Sequence, residues 1–287
     1  MKQIPPPFSE IERNSIRKKL YTEGYALIKN AFKISDIEKL DLHITEHFKK
    51  SGIIHRYGKA QPNIINENRE FEWVLTQPKI LDIMRSIFDD KIFYFTGHAD
   101  IHRNINFGWH KDDGRGRYFN GDYMSDENCQ VYKIGIYTGD HSKDKGGLTV
   151  KPGSHLVERS ESMEEISIPS EPGDVVIFDV RITHKGKQRD WLERKFLSIG
   201  KFLGDRDNTC KFGEVIFNLY NQIIGKSSKK AMFFTVGANN SQTIKFSIEN
   251  MKRQIQQTGR NISTPHADFL KRIELAGMLY PNFKQLL

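Results

Sequence analysis

The spacing of apolar positions changes twice along the chain. From residue 8 to 50 it reads helix, strand, helix. Ser9-x-x-Glu12 and Ser35-x-x-Glu38 fit the capping-box pattern, and Ile37, Leu40, Ile44 and Phe48 then fall on one helical face. Between the helices Gly24 introduces Tyr25-Ala26-Leu27-Ile28 as a short strand. Residues 51–70 are polar and Asn-rich and read as a loop or lid. Thr76-x-Pro78 opens another helix with proline at its tolerated first position, and Ile80, Leu81, Met84, Ile87 and Phe88 form its stripe.

Beyond residue 91 the pattern becomes that of strands. Candidates are 92–107, 131–138, 147–151, 165–168, 174–182 and 195–203, punctuated by Gly146-Gly147, Pro152-Gly153 and Pro172-Gly173. Many short strands without regular helices between them predict a mainly β fold with flanking helices and a double-stranded β-helix core, a jelly roll of the cupin-like kind. From about 205 helical spacing returns. Phe212, Val215, Ile216, Leu219 and Ile223 make one stripe, Ile248, Met251 and Ile255 a second, and the segment after Pro265 a third. No repeat or linker divides the chain. It reads as one domain, with a helical N-terminal support and one strand (1–90), a jelly-roll core (91–204) and a helical C-terminal extension (205–287).

Composition narrows this picture. No apolar run approaches the roughly 20 residues of a membrane helix, and the N-terminus lacks signal-peptide features, so a cytoplasmic setting without a membrane is expected. Cys129 and Cys210 are too few for a disulfide scaffold. A formal charge of +8 raises the question of a polyanionic partner. The basic residues are scattered, however, and the densest cluster, 226–230, lacks interleaved aromatics, which disfavours a nucleic-acid groove. A small anionic substrate would feel the same field.

Candidate chemistry centres on Gly108-Trp109-His110-Lys111-Asp112-Asp113. At a strand end, residues two apart share a face, so His110 and Asp112 can fill two cis positions of a metal. Two histidines and one carboxylate form the facial triad that suits oxygen-activating non-haem Fe(II). His98-Ala99-Asp100 and His266-Ala267-Asp268 have the same H-x-D form. The first lies mid-strand and stays a rival; the second begins a helix, where residues two apart diverge. Pro172-Gly173-Asp174 opens the apolar strand Val175 to Phe178, which runs out to His184. Ten residues on, Arg194 enters a β-like run, where its planar fork would suit a carboxylate.

Trp109-His110-Lys111-Asp112, then Gly146-Gly147-Leu148-Thr149-Val150-Lys151-Pro152-Gly153-Ser154-His155, then Pro172-Gly173-Asp174, and His184 with Arg194 follow in order. Together with Gly24 to Lys29, they resemble the phytanoyl-CoA dioxygenase family of Fe(II)/2-oxoglutarate oxygenases over residues 20–203. The resemblance implies that His110, Asp112 and His184 bind Fe(II) and that Arg194 grips the distal carboxylate of 2-oxoglutarate. It further implies hydroxylation of an unactivated C–H bond of a small metabolite, which the basic charge suggests is anionic, using O2 and releasing succinate and CO2. Asp112 argues against the related halogenases, which carry a small residue there. His155 resembles the family's structural histidine, and Arg103 occupies the place of a basic residue that approaches the keto acid.

Other positions rest on composition alone. Lys133 and Thr149 lie on strands that can line the same pocket, and Trp109 can wall the iron or fill core space. Asp113 and Arg189 are the nearest rivals of Asp112 and Arg194. His43 and His47 share a helix face without a third ligand. Residues 114–129, rich in Gly, charge and aromatics, read as either a lid or a solvated loop; as a lid, Arg115, Arg117, Tyr118 and Tyr123 would meet the substrate. Two other functions compete: a jelly roll that binds without catalysing, and an oxidative demethylase acting on nucleic acid. The sequence leaves the oligomeric state open.

Overall fold

The computed structural model describes residues 8–286, except for 56–57, 106, 115, 117, 120–123, 125, 143–146, 187–190, 205–214, 217–218, 221–222, 224–227 and 260–262. Helix α1 (Glu10–Thr22) starts with the predicted capping box, in which Ser9 and Glu12 exchange side-chain and backbone hydrogen bonds. Strand β1 (Tyr25–Ile28) follows, then α2 (Ile34–Lys50). That helix begins one residue before Ser35, at Ile34, without a side-chain cap, so its stability comes from burying Ile37, Leu40, Ile44 and Phe48.

The expected loop over 51–70 instead contributes two strands, β2 (Ile53–His55) and β3 (Gly58–Gln61). Helix α3 (Pro78–Ile87) carries the predicted apolar stripe. The strands then come as read: β4 (Phe93–Arg103), β5 (Val131–Tyr137), β6 (Thr149–Val150), β7 (Ile166–Ser167), β8 (Val175–Asp179) and β9 (His184–Lys185).

Two expectations fail next. Residues 195–203 are not a strand; they belong to helix α4 (Trp191–Phe202). Leu192, Phe196, Ile199 and Leu203 keep helical spacing, whereas the short apolar run around Phe196 and Leu197 is by itself compatible with either a strand or a helix. The extension after 205 is not all helical either. Lys230–Ala238 forms β10, and only then come α5 (Ser241–Thr258), α6 (Ala267–Leu275) and the short β11 (Met278–Leu279). Of the first C-terminal stripe, Phe212 lies outside the described residues, and Val215, Leu219 and Ile223 are exposed.

The large sheet has the order β1-β8-β5-β10-β4-β3-β2, with β11 parallel to β4; β7-β6-β9 form a small sheet. β10 is central, antiparallel to both β4 and β5. The jelly roll therefore closes with a strand drawn from far beyond residue 204. One face of the large sheet packs on the N-terminal helices through Phe93, Phe95, Ile134, Ile177, Met232 and Phe234. The opposite face looks into the interior between the sheets. No helix among the described residues is long and apolar enough to cross a membrane.

Gly24 locks α1 to the small-sheet side. Its φ of +80° is left-handed, and a Cβ there would sit 2.5 Å from His155 Nδ1. His155 is buried beneath it, with Nε2 3.0 Å from the Tyr21 carbonyl, which supports the structural role expected of that histidine. Gly259, at φ +64°, has open space around it. Gly24→Ala is expected to cost about 2–3 kcal/mol, strain plus overpacking, and Gly259→Ala about 1 kcal/mol, strain alone. Urea denaturation of both variants checks the difference; equal losses would show that the His155 contact contributes nothing.

Candidate metal centre and its cavity

The H-x-D motif lies where the two sheets meet. His110 N donates to the His184 carbonyl at 3.0 Å, and His184 N to the His110 carbonyl at 2.9 Å. This antiparallel bridge sets the two imidazoles side by side, ring centroids 4.2 Å apart and planes tilted by 50°. Asp112 N donates to the Val180 carbonyl at 2.8 Å, which fixes the third residue against the same segment.

Each ring is oriented by its own backbone. Nδ1 of His110 is 2.7 Å from the Gly108 carbonyl, and Nδ1 of His184 is 3.0 Å from that of Ile182. A carbonyl only accepts, so both Nδ1 atoms carry the proton and both Nε2 atoms present a lone pair. These lone pairs face the Asp112 carboxylate, His110 Nε2 at 3.7 Å from Oδ1 and His184 Nε2 at 3.7 Å from Oδ2. Both spacings are too long for hydrogen bonds. The three ligand atoms lie within 4.8 Å of one another, an arrangement that fits a shared divalent cation.

Electrostatics agree with that fit. Burial, reinforced by the neighbouring His110, pushes His184 down to about 3, so it is neutral at pH 7. Burial alone would raise Asp112, but the Lys133 ammonium beside it outweighs that and holds the carboxyl well below its usual range. Lys133 Nζ donates to Asp112 Oδ2 at 2.6 Å. The protein thus offers two imidazole Nε2 atoms and one carboxylate to a single point.

A cavity of about 570 Å³ opens beside the triad. Strand alternation explains its lining: on β4 His98, Asp100 and His102 face inward, and β10 places Ala231 opposite His102 and Phe233 opposite Asp100. On β5, Tyr137 lies opposite Ala231 and Lys133 opposite Phe178 of β8. Helix α5 adds Arg253, Gln254 and Gln257. Its buried face runs through Thr243, Phe246, Ser247, Asn250, Met251 and Gln254, so it is partly polar and rotated from the stripe of Ile248, Met251 and Ile255 read from sequence.

The other sequence candidates separate cleanly. Lys133 lines the cavity. Thr149 does not; its hydroxyl pairs with Ser167 Oγ at 3.0 Å. Arg103, at the end of β4, lies 5.9 Å from the Phe48 ring and outside the cavity lining. Arg194 is exposed on α4, because the run that follows it is helical, and it does not line the cavity. Tyr118 is fully buried against Phe246, ring centroids 4.8 Å apart, so it is core rather than a substrate contact. Arg115, Arg117, Tyr123 and Arg189 lie outside the described residues.

The rival His98–Asp100 pair saturates itself. His98 Nε2 is 2.8 Å from Asp100 Oδ2, and Nδ1 is 2.9 Å from Thr235 Oγ1. It walls the cavity without joining the metal cluster. His266 caps α6, and Asp268 is exposed in its first turn. His43 and His47 bond to the Glu70 carbonyl and Ser51. Trp109 packs between Lys185 and Lys151, whose Nζ atoms are 4.1 and 5.0 Å from its ring centroid, and does not wall the cavity. Lys111 Nζ donates to the Ser154 and Val157 carbonyls at 2.6 and 2.8 Å, tying the motif to the turn that follows β6. Residues that sequence reading missed are His102, which the alternation of β4 signals, and those on β10 and α5, hidden in a stretch read as plain helix.

The profile of the phytanoyl-CoA dioxygenase family matches residues 21–189, which include His110, Asp112 and His184. The chain belongs to that family. This makes it an iron- and 2-oxoglutarate-dependent oxygenase. No curated protein sequence matches the chain. Among solved structures, it is similar to the non-haem α-ketoglutarate-dependent epimerase SnoN from nogalamycin biosynthesis (10% identity, TM-score 0.57, covering 80% of this chain and 84% of that one). EctD from S. alaskensis, solved with 2-oxoglutarate and 5-hydroxyectoine, has 13% identity and a TM-score of 0.54 over 83% and 79% of the two chains. The carbocyclase SnoK, from the same nogalamycin pathway, has 12% identity and a TM-score of 0.54 over 91% and 96%. At these identities the likeness establishes the jelly-roll fold.

Two expectations follow for the free protein. Asp112→Ala should abolish Mn(II) binding in calorimetry, whereas Asp113→Ala, fully buried and outside the ligand cluster, should keep Mn(II) affinity within a few-fold and lose stability. The reverse pattern would move the site by one residue. Because burial depresses His184 below its ordinary 6.5, the unfolded chain binds the extra proton. The contribution of His184 to stability is complete above about pH 6.5 and is lost as pH falls toward 3, so the metal-free melting temperature should drop across that window, less steeply in His184→Ala.

Proposed function

We propose that the chain hydroxylates an unactivated C–H bond of a small polar or anionic metabolite, with His110, Asp112 and His184 holding Fe(II). The observation that carries this reading is the convergence of two Nε2 lone pairs and one carboxylate on a point beside a walled cavity. Iron and 2-oxoglutarate, when bound, supply an oxidant that removes hydrogen from carbon, with succinate and CO2 as co-products.

The protein's own contribution is to hold, orient and exclude. Phe178 is buried against the His184 ring, centroids 4.8 Å apart, and keeps water from that side of the site, while Phe107, more exposed, lies 5.6 Å from the His110 ring. The cavity limits the substrate to a small molecule. Its polarity is uneven: Asp100, His102, Arg253, Gln254 and Gln257 gather toward β4 and α5. Gln254 is buried, and its Oε1 has no hydrogen-bond partner among the described residues. A substrate carrying an anion for Arg253 and a donor for Gln254 would satisfy that wall.

Anaerobic addition of Fe(II) and then 2-oxoglutarate should produce a metal-to-ligand charge-transfer band that His184→Ala lacks. Screening polar and anionic metabolites for coupled succinate release should then find one that raises turnover at least about tenfold over the uncoupled rate, a transition-state gain of about 1.4 kcal/mol. Absence of the band in the unmodified protein would refute the oxygenase assignment of these residues.

A further inference from the structure

Helix α5 turns a polar stripe inward. Thr243, Ser247, Asn250 and Gln254 recur at helical spacing and are all buried. The first three have partners close by. Thr243 Oγ1 donates to Asn240 Oδ1 at 3.2 Å, Ser247 Oγ to the Thr243 carbonyl at 2.8 Å, and Asn250 Oδ1 accepts from Arg253 Nη2 at 2.5 Å. Gln254 ends the stripe at the cavity wall, where its Oε1 has no partner among the described residues. Arg253 stands beside it in the same wall, and its buried Nε is likewise without a partner. Both residues lie beyond 21–189, the part of the chain that the family profile matches.

Strand β4 brings an anion to the same corner. Asn63 ties strand to helix: its N–H donates to Asp100 Oδ1 at 3.3 Å, and its Nδ2 lies 3.8 Å from Met251 Sδ, one turn before Gln254. Asp100 Oδ2 is 2.8 Å from His98 Nε2, and the side chain keeps 16% of its surface exposed where it lines the cavity. Burial alone would raise the Asp100 carboxyl, but the basic groups around it, His98 first, hold it at about 2, so it is ionised at neutral pH. His102, pushed down to about 4 by burial, is neutral there. Arg253 and Asp100 therefore face one cavity with opposite charges and do not meet. Among the described residues Asp100 pairs with His98 alone and Arg253 joins no carboxylate, since Asn250 holds the guanidinium to its own helix. Opposite charges kept apart in a shared wall are costly unless something between them meets both.

We propose that this corner binds the polar head of the substrate, and that the substrate is a small zwitterion, an amino acid with free ammonium and carboxylate groups. The carboxylate pairs with Arg253. The ammonium, with three donors, meets Asp100 and the open Oε1 of Gln254. A purely anionic substrate would bring like charge to Asp100, and an uncharged one would leave both wall charges unmatched. The assignment rests on the reading of this cavity as the substrate site of an oxygenase. His98 Nδ1 reaches Thr235 Oγ1, and Thr235 is the register partner of Lys133 on β5, so β4 stands two strand spacings, roughly 10 Å, from the strand whose lysine contacts Asp112. The head is thus held away from the triad, and the carbon chain of the substrate extends back toward it past Phe233.

The test is calorimetric titration of the full chain, loaded with Mn(II) and 2-oxoglutarate so that no turnover occurs. The probes are the protein amino acids and the straight-chain ω-amino acids, and then the N-acetyl and carboxamide derivatives of each one that binds. At least one free amino acid should bind, and masking either of its charges should weaken it at least about tenfold. Asp100→Asn should weaken the free amino acid by a similar factor and change its N-acetyl derivative less than about twofold. Arg253→Gln should weaken the free amino acid and spare the carboxamide, and Arg253→Lys should recover part of the loss. Affinity for 2-oxoglutarate should stay within about twofold in every variant. The proposal is overturned if no amino acid binds, if a derivative lacking one charge binds as tightly as its parent, or if Arg253→Gln weakens 2-oxoglutarate instead. The charge-transfer band with Fe(II) separates this from the oxygenase reading. A protein that forms the band and binds no amino acid refutes the zwitterion alone, whereas one that forms no band refutes the oxygenase reading and the substrate assignment with it.

Discussion

The backbone bridge between His110 and His184 is the constraint on which the site depends. Two hydrogen bonds, each near 3 Å, join the first residue of the H-x-D motif to the first residue of β9 and so fix two imidazoles whose sequence positions are 74 apart. Everything around the bridge supports it. Lys111 anchors one side to the turn at Ser154, the Ser154 hydroxyl accepts from Thr183 N at 2.8 Å, and Gly24 over His155 ties that turn to α1. A small shift in any of these would separate Nε2 atoms that must meet at one point.

The second requirement is electrostatic. A carboxylate half-buried beside an apolar wall would ordinarily be expensive, and Lys133 offsets that cost by donating directly to Asp112. Farther along the inner face, the His98–Asp100 pair is satisfied within itself and with Thr235, so it adds polarity to the wall without competing for the cation. Two H-x-D pairs thus share one cavity and differ in whether their nitrogen lone pairs are left open toward a common point.

Much of this was legible in the residues. The jelly-roll strands from β4 to β9 follow their glycine and proline punctuation, and the ligand triad emerges from strand-end spacing joined to the family resemblance. What failed did so for identifiable reasons. The apolar run around Phe196 and Leu197 is too short to separate strand from helix, so the strand expected there after Arg194 is helix α4 instead. Lys230 to Ala238, a nine-residue run with seven apolar or small residues, was absorbed into a helical reading because the surrounding stretches are helical. Strand order is non-local: nothing near residue 230 announces that its partners are β4 and β5, more than 90 residues earlier. The polar wall of α5 was missed because the sequence stripe of isoleucines drew attention to the wrong face.

The oxygenase reading requires that His110, Asp112 and His184 together bind iron through two Nε2 atoms and one carboxylate. Pulsed electron paramagnetic resonance on the nitric oxide adduct of the anaerobic Fe(II) protein tests it most directly, by counting coordinated imidazole nitrogens. Two are predicted, falling to one in either His110→Ala or His184→Ala. No imidazole coupling, or a count that neither substitution changes, would contradict it.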